Sequence, residues 1–284
     1  GKDDLYVVEN GKKRRFENEK AFISLGYQKN NLITIDRITA LMTPDGDSVY
    51  FAGNYDASKL PQTQPATGFM GDLATNVKDI YKSNLPAYVV AEYPTGKIIS
   101  GKNIDTKRAV ASFVKVLVGY EAEKQGIDYK KTTTYTPSKH NEGGYSLYIP
   151  IGTKISNKDL VNTMMIGSYN NVARMVAQST GLSEKGMVTK INERIKGWGA
   201  KNTTIDDVTG LSEKNISTTR DLLKIFTYLI KDKTYAGMVL SKSRHYFAAT
   251  NGRAYSINNT NSLNFDNNNY KILASKTGYT NEAK

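Results

Sequence analysis

The chain of 284 residues contains no cysteine. That excludes disulfides, thiolate metal sites and a cysteine nucleophile, and leaves the redox compartment open. There are only two histidines, His140 and His245. Neither has a second His, Asp or Glu at ligand spacing, so no metal site is expected. A Ser-His-Asp triad is equally poorly supplied, so a nucleophilic enzyme built from this chain would draw its base from another residue type. No apolar run is long enough to cross a bilayer. No secretory signal opens the chain, which begins on polar "GKDDLY", so any leader is expected to have been removed or to lie upstream.

Positive charge, by contrast, is plentiful. The net charge of +12 favours anionic partners, nucleic acid or an anionic cell-wall polymer. The cations are scattered apart from "GKKRRF" at 11–16, and no RNP-like or helix-turn-helix pattern accompanies them, so nucleic acid is not expected. On its own that cluster reads as a solvated hairpin edge.

Residues 5–16 contain two strand-like runs joined by Asn10-Gly11, a hairpin signal. A short helix is expected in "NEKAFISLG" with Asn18 as its N-cap, then a strand in "NLITI" and a helix in "DRITALMTPDG". Residues 1–50 thus read as a small α+β module, weakly similar to repeats appended to bacterial surface proteins. Residues 51–83 read as a linker, its first part rich in Gly, Pro, Thr and Gln. Residues 84–284 read as the main domain. It opens with the hairpin "LPAYVVAEYPTGKIISGKN", continues through a long helical region broken by a polar stretch at 132–158, and returns to strands after about Leu240. The fold class implied is α/β or α+β, a sheet packed on helices.

Three motifs carry chemistry. "AVASFVKVLVGY" at 109–120 reads as a helix apolar nearly all round, with Lys115 three residues after Ser112. On a helix these two share a face. Burial disfavours an ammonium, and a neutral amine can take a proton from a hydroxyl beside it. Taken alone, Lys115 would simply snorkel to water. In "MMIGSYNNVARM", Ser168 and Asn170 fall on a tight loop between two helical runs, a hydroxyl and a carboxamide able to hold an amine. The S-x-N spacing recurs at Ser256 and Ser262, and only its place between helices separates the Ser168 copy. In "ILASKTGYT", Lys276-Thr277-Gly278 is expected on a strand, offering a cation and a hydroxyl to a carboxylate, with a glycine that permits close backbone approach.

The order S-x-x-K, S-x-N, K-T-G resembles the penicillin-binding protein and serine β-lactamase superfamily. Within it, "ASFVK", "SYNNVARMVAQSTG", "DDVTGLSEKNISTTRDL", "NTNSL" and "SKTGYTNEA" resemble the low-molecular-mass D-alanyl-D-alanine carboxypeptidases of peptidase family S11. The similarity runs over about 86–284. It implies a β-lactamase/transpeptidase-like sandwich, an antiparallel sheet packed on a helical subdomain. It implies Ser112 as nucleophile, Lys115 as its base, Ser168 passing a proton to the departing D-alanine, and Asn170 orienting Lys115 and the substrate. Lys276 and Thr277 would bind the terminal carboxylate, and the N–H groups of Ser112 and Tyr279 would form an oxyanion hole beside Gly278. Neither metal nor cofactor is implied. The partners implied are peptidoglycan stem peptides ending in D-Ala-D-Ala and β-lactams, in an extracytoplasmic setting.

Two departures from the family pattern stand out. Val114 occupies a position where threonine is common. The chain also ends just after K-T-G, where the family has further strands, so a longer polypeptide or a completing segment is expected. A class A-type β-lactamase is the competing enzyme, and it requires a deacylating glutamate, for which Glu184, Glu193 and Glu213 are candidates. A wall-binding protein without activity is the other alternative.

Overall fold

The computed structural model describes residues 6–9, 12–16, 77–93, 95–265 and 272–283. The chain divides into two units, Gly1–Gly68 and Phe69–Lys284. In the first, β1 (Tyr6–Glu9) and β2 (Lys12–Arg15) pair antiparallel, with Tyr6 opposite Arg15 and Glu9 opposite Lys12. This is the hairpin expected from Asn10-Gly11. Phe16, directly after it, is buried. The helices and strand expected between 18 and 46, and the sequence from 51 to 75, lie outside the described residues.

The second unit opens with the antiparallel pair β3 (Tyr88–Ala91) and β4 (Ile98–Lys102). Chain just before it is tied to β4: Lys78 O accepts from Gly101 N and from Ser100 Oγ, both at 3.1 Å. The two-residue strands β5 (Arg108–Ala109) and β8 (Ile216–Ser217) then pair, with Val110 N donating to Asn215 O at 3.0 Å. That pairing brings segments more than a hundred residues apart in sequence together at the start of the central helix.

A single 3-10 turn, Ala111–Phe113, leads into the helix α1 (Val114–Lys124). Every residue from Val114 to Ala122 is buried, as an all-round apolar sequence requires. Around α1 pack α3 (Asn157–Gly167), α4 (Asn170–Ser179), α5 (Glu184–Gly197) and α7 (Tyr235–Val239). The longest of the remaining helices, α6 (Thr219–Lys231), packs against β3. Hydroxyls cap four of these helices: Ser156 on Asp159 N, Ser183 on Gly186 N, Thr218 on Asp221 N and Thr234 on Gly237 N. Each satisfies one of the N–H groups that a helix start leaves without an intrahelical partner. The polar stretch 132–158 holds the antiparallel pair β6 (Thr132–Thr134) and β7 (Lys154–Ser156), with the one-turn helix α2 (Pro137–His140) between them.

The hairpin β9 (Arg244–Ala248) and β10 (Ala254–Asn258) packs on α3 and turns Tyr255 and Ile257 inward. Mixed strands packed on helices are the architecture anticipated. One expectation fails. The K-T-G segment, residues 272–280, is not a strand. Among the described residues all strands pair two by two, and none runs alongside this segment to supply a ladder. Its backbone is held instead by separate anchors, such as Ser275 N donating to Leu240 O at 3.1 Å.

Candidate active site

Ser112 sits in the 3-10 turn and Lys115 in the first turn of α1. The Lys115 side chain is fully buried. Its ammonium donates to Ser112 Oγ at 2.9 Å, to Asn170 Oδ1 at 2.8 Å and to the carbonyl of Thr209. All three ammonium donors therefore have acceptors, which is how a buried lysine avoids an unsatisfied polar group. Burial still dominates its protonation: it pulls Lys115 from the ordinary 10.5 to about 7, against the opposing fields of Asp207 and Glu142. At neutral pH a sizeable fraction is free amine, placed to accept the Ser112 proton.

The second motif lies where α3 gives way to α4. Ser168 closes α3 in a left-handed conformation, φ +63°, and its N–H donates to Met164 O at 3.0 Å. That conformation is uncommon for a residue with a Cβ, and it directs Ser168 away from the helix path. Asn170 begins α4. Its Nδ2 donates to Gly143 O and its backbone N to Tyr145 O, both at 2.8 Å. The adjacent Asn171 exchanges hydrogen bonds with the backbone of Leu147 at 3.0 and 2.8 Å. The 143–147 loop is thereby fastened to the start of α4, and the Tyr145 and Tyr169 rings stack at 4.6 Å.

Lys276 reaches the same place from the opposite end of the sequence. Its Nζ donates to Ser168 Oγ and to Thr277 O, both at 2.7 Å. Burial and then repulsion from Lys115 lower it to about 7. The Thr277 hydroxyl shares a short hydrogen bond with Thr260. Gly278 serves a purpose beyond the one expected. A Cβ there would lie 3.2 Å from Val110 O and 3.4 Å from Ser112 N, so the glycine lets this segment run close beside the Ser112 backbone. The Tyr279 side chain points outward, 70% exposed.

The structure thus brings the predicted residues together as two hydrogen-bonded groups, Ser112–Lys115–Asn170 and Ser168–Lys276, close enough for the two ammonium groups to repel each other, with Thr277 and Gly278 at their border. It also reveals a contributor that motif reading missed, the turn 207–212. Asp207 Oδ1 accepts from Thr209 N and Gly210 N at 3.0 and 2.6 Å, and Oδ2 from Leu211 N and Ser212 N at 3.1 and 2.9 Å. The turn presents Thr209 O to Lys115. The available signal was Asp207 three residues before Gly210, a side chain able to cap the turn that follows it.

The three glutamates weighed for a lactamase-type role differ in placement. Glu184 Oε2 stands 3.6 Å from Arg174 Nη2, Glu193 pairs with Lys190 at 3.0 Å on α5, and Glu213 is exposed.

Residues 75–284 match the D-alanyl-D-alanine carboxypeptidase family, peptidase family S11. A D-alanyl-D-alanine endopeptidase of Escherichia coli K12 is 30% identical over 69% of this chain and 63% of its own length. The D-alanyl-D-alanine carboxypeptidase DacF of Bacillus subtilis is 28% identical over 69% of this chain and 51% of its own length. The chain therefore spans between half and two thirds of these relatives. Two solved structures share the fold. A D-alanyl-D-alanine carboxypeptidase from Mycobacterium tuberculosis superposes with a TM-score of 0.63 at 22% identity, over 74% of this chain and 78% of that one. A variant of the Streptomyces K15 DD-transpeptidase gives 0.64 at 22% identity, over 72% and 84%. With the family match extending over most of its length, the chain belongs to peptidase family S11, the D-alanyl-D-alanine carboxypeptidases.

Proposed function

We propose that the protein is a serine-type D-alanyl-D-alanine carboxypeptidase that acts on peptidoglycan stem peptides and is acylated by penicillins. The observation that carries this reading is the 2.9 Å hydrogen bond between Lys115 Nζ and Ser112 Oγ inside an apolar core. Neutral Lys115 takes the Ser112 proton as Oγ attacks the carbonyl between the two terminal D-alanines. The N–H groups of Ser112 and Tyr279 receive the negative charge that develops on the carbonyl oxygen. Collapse breaks the peptide bond, and the proton that Lys115 took passes to the leaving amine by way of Ser168, which Lys276 holds, so that Lys115 is neutral again. Water then hydrolyses the ester on Ser112. Asn170 keeps Lys115 and the peptide amide aligned, and Lys276 with Thr277 takes the terminal carboxylate.

Peptidoglycan lies outside the cytoplasmic membrane, so the reading carries an extracytoplasmic location with it. No helix among the described residues is long and apolar enough to cross a membrane. The charge of +12 suits the anionic polymers that surround peptidoglycan. The relatives named as endopeptidases give hydrolysis of cross-links as a second reading of the same chemistry.

A fluorescent penicillin tests the proposal. Wild type becomes covalently labelled and Ser112→Ala does not, and wild type releases D-alanine from a pentapeptide. Fast turnover of a chromogenic cephalosporin would instead make the protein a β-lactamase. Absence of label on wild type would favour a wall-binding role.

A further inference from the structure

We propose that Asp207 is a positioning residue for catalysis: its carboxylate shapes the turn that holds Lys115 and the backbone around Ser112 in reacting alignment. This rests on the acyl-transfer reading of Ser112.

First, one carboxylate organises the whole turn. Besides the four N–H groups of Thr209, Gly210, Leu211 and Ser212, it accepts from Thr209 Oγ1 at 3.1 Å and Asn215 Nδ2 at 3.0 Å. Asn215 in turn accepts from the N–H groups of Asp206 and Asp207 through its own Oδ1. Few side chains could replace Asp207, since six donors converge on two oxygens and an amide would aim its own N–H groups at donors.

Second, the turn touches the reacting groups at two points. Thr209 O accepts from Lys115 Nζ. Gly210, at φ +87°, lies so close to the Ala111 peptide that a Cβ would overlap its carbonyl and stand 2.8 Å from Ser112 N. Ala111 is itself held at φ +46°, a strained conformation for alanine that its surroundings must enforce. The turn therefore bears on both the base and the segment carrying the nucleophile, while Asp207 touches neither reacting atom.

Third, the charge of Asp207 acts on the same lysine. Burial pushes the Asp207 carboxyl up, but the hydrogen bonds led by Gly210 N and Ser212 N outweigh it, so it is held below the ordinary carboxylate range and stays ionised. Its field opposes the lowering of Lys115 by burial. The other charged groups around it are Glu142, paired with Arg174 of α4, Glu184 of α5, which accepts from Val208 N, and Lys276. Of these, Glu142 is the only other carboxylate raising Lys115.

The test measures acylation at saturating fluorescent penicillin from pH 5.5 to 9, with thermal melts, on wild type, Asp207→Asn and Asn215→Ala. Asp207→Asn is expected to slow acylation by about ten- to a hundredfold through misplacement of the base. Loss of its negative charge also shifts the acid limb of the profile to lower pH, by about half a unit or more. Asn215→Ala loosens the same turn but keeps the carboxylate, so its melting temperature falls and its limb stays in place. An Asp207→Asn protein that is merely less stable, with rate and limb unchanged, overturns the proposal. Thr209→Val guards against an Asp207→Asn that does not fold. It removes one donor to Asp207 and is expected to slow acylation several-fold, and an unchanged rate there overturns the proposal too. Wild type that labels no better than Ser112→Ala overturns the acyl-transfer reading itself.

Discussion

Gly210 and Ser112 are neighbours through their backbones: a Cβ on Gly210 would stand 2.8 Å from Ser112 N and overlap the Ala111 carbonyl. Both the positive φ and the contact require glycine. Gly210→Ala is expected to cost about 1–2 kcal/mol in backbone strain alone, and the overlap displaces the turn bearing Ser112. Penicillin labelling should be lost or slowed far more than the melting temperature falls. Normal labelling with a normal melt would show that the backbone yields freely here.

Acylation should follow the protonation of Lys115. Only the free amine can accept the Ser112 proton, and burial sets its pKa at about 7. The rate at saturating penicillin should therefore be low in acid, rise through neutrality and level off above it. Stopped-flow acylation between pH 5 and 9 measures this. A flat profile would rule out Lys115 as the titrating base.

Lys115→Met separates chemistry from folding. Removing the base should slow acylation by about 10²–10⁴-fold, while the apolar side chain fits a fully buried position. The sign of the pH dependence follows from linkage. Lys115 has a folded pKa below its unfolded value, so the unfolded state binds more protons between about 7 and 10.5, and wild-type stability rises with pH across that window. Lys115→Met lacks this contribution. The difference in unfolding free energy between the two proteins should move in favour of wild type as pH climbs from 7 to 10, and a constant difference would count against the burial of a charged lysine.

The ion pair between Arg194 and Glu121 tests the scaffold apart from the site. Glu121 is buried on α1, and both carboxylate oxygens accept from Arg194 of α5. Arg194→Leu leaves a buried carboxylate without its cation and should cost about 3–5 kcal/mol. Denaturant unfolding should show that loss, with the fraction still folded acylating at the wild-type rate.

Much of this site could be read from the sequence because its chemistry sits in short spacings. Ser112 and Lys115 are three residues apart on a helix, and the continuous apolar run around them already implied burial. The helix-breaking Gly167-Ser168 announced the loop between α3 and α4. Long-range features were less legible. That Lys276 would meet Ser168 depends on the packing of a segment without strand structure, whose apolar "ILA" nonetheless suggested a strand. A strand needs a partner, and local propensity cannot say whether one is present. The turn at 207–212 was hidden for another reason. Asp207 was its one side-chain signal; the contacts with Lys115 and Ser112 come from a main-chain carbonyl and a missing Cβ, which no side chain announces.

The closeness of Lys115 and Lys276 also has a thermodynamic consequence for ligand binding. Both hold their protons loosely near pH 7. If a ligand carboxylate docks at Lys276 as proposed, it would raise that lysine's affinity for a proton, and binding near neutrality would take protons up from the buffer. The heat of binding measured by calorimetry would then vary with the ionisation enthalpy of the buffer chosen. With the proposed roles, affinity would favour the acid side, where Lys276 is charged, and the chemical step would favour the alkaline side, where Lys115 is neutral. These opposing demands would give kcat/KM a maximum close to neutrality, set by two amines and without any histidine.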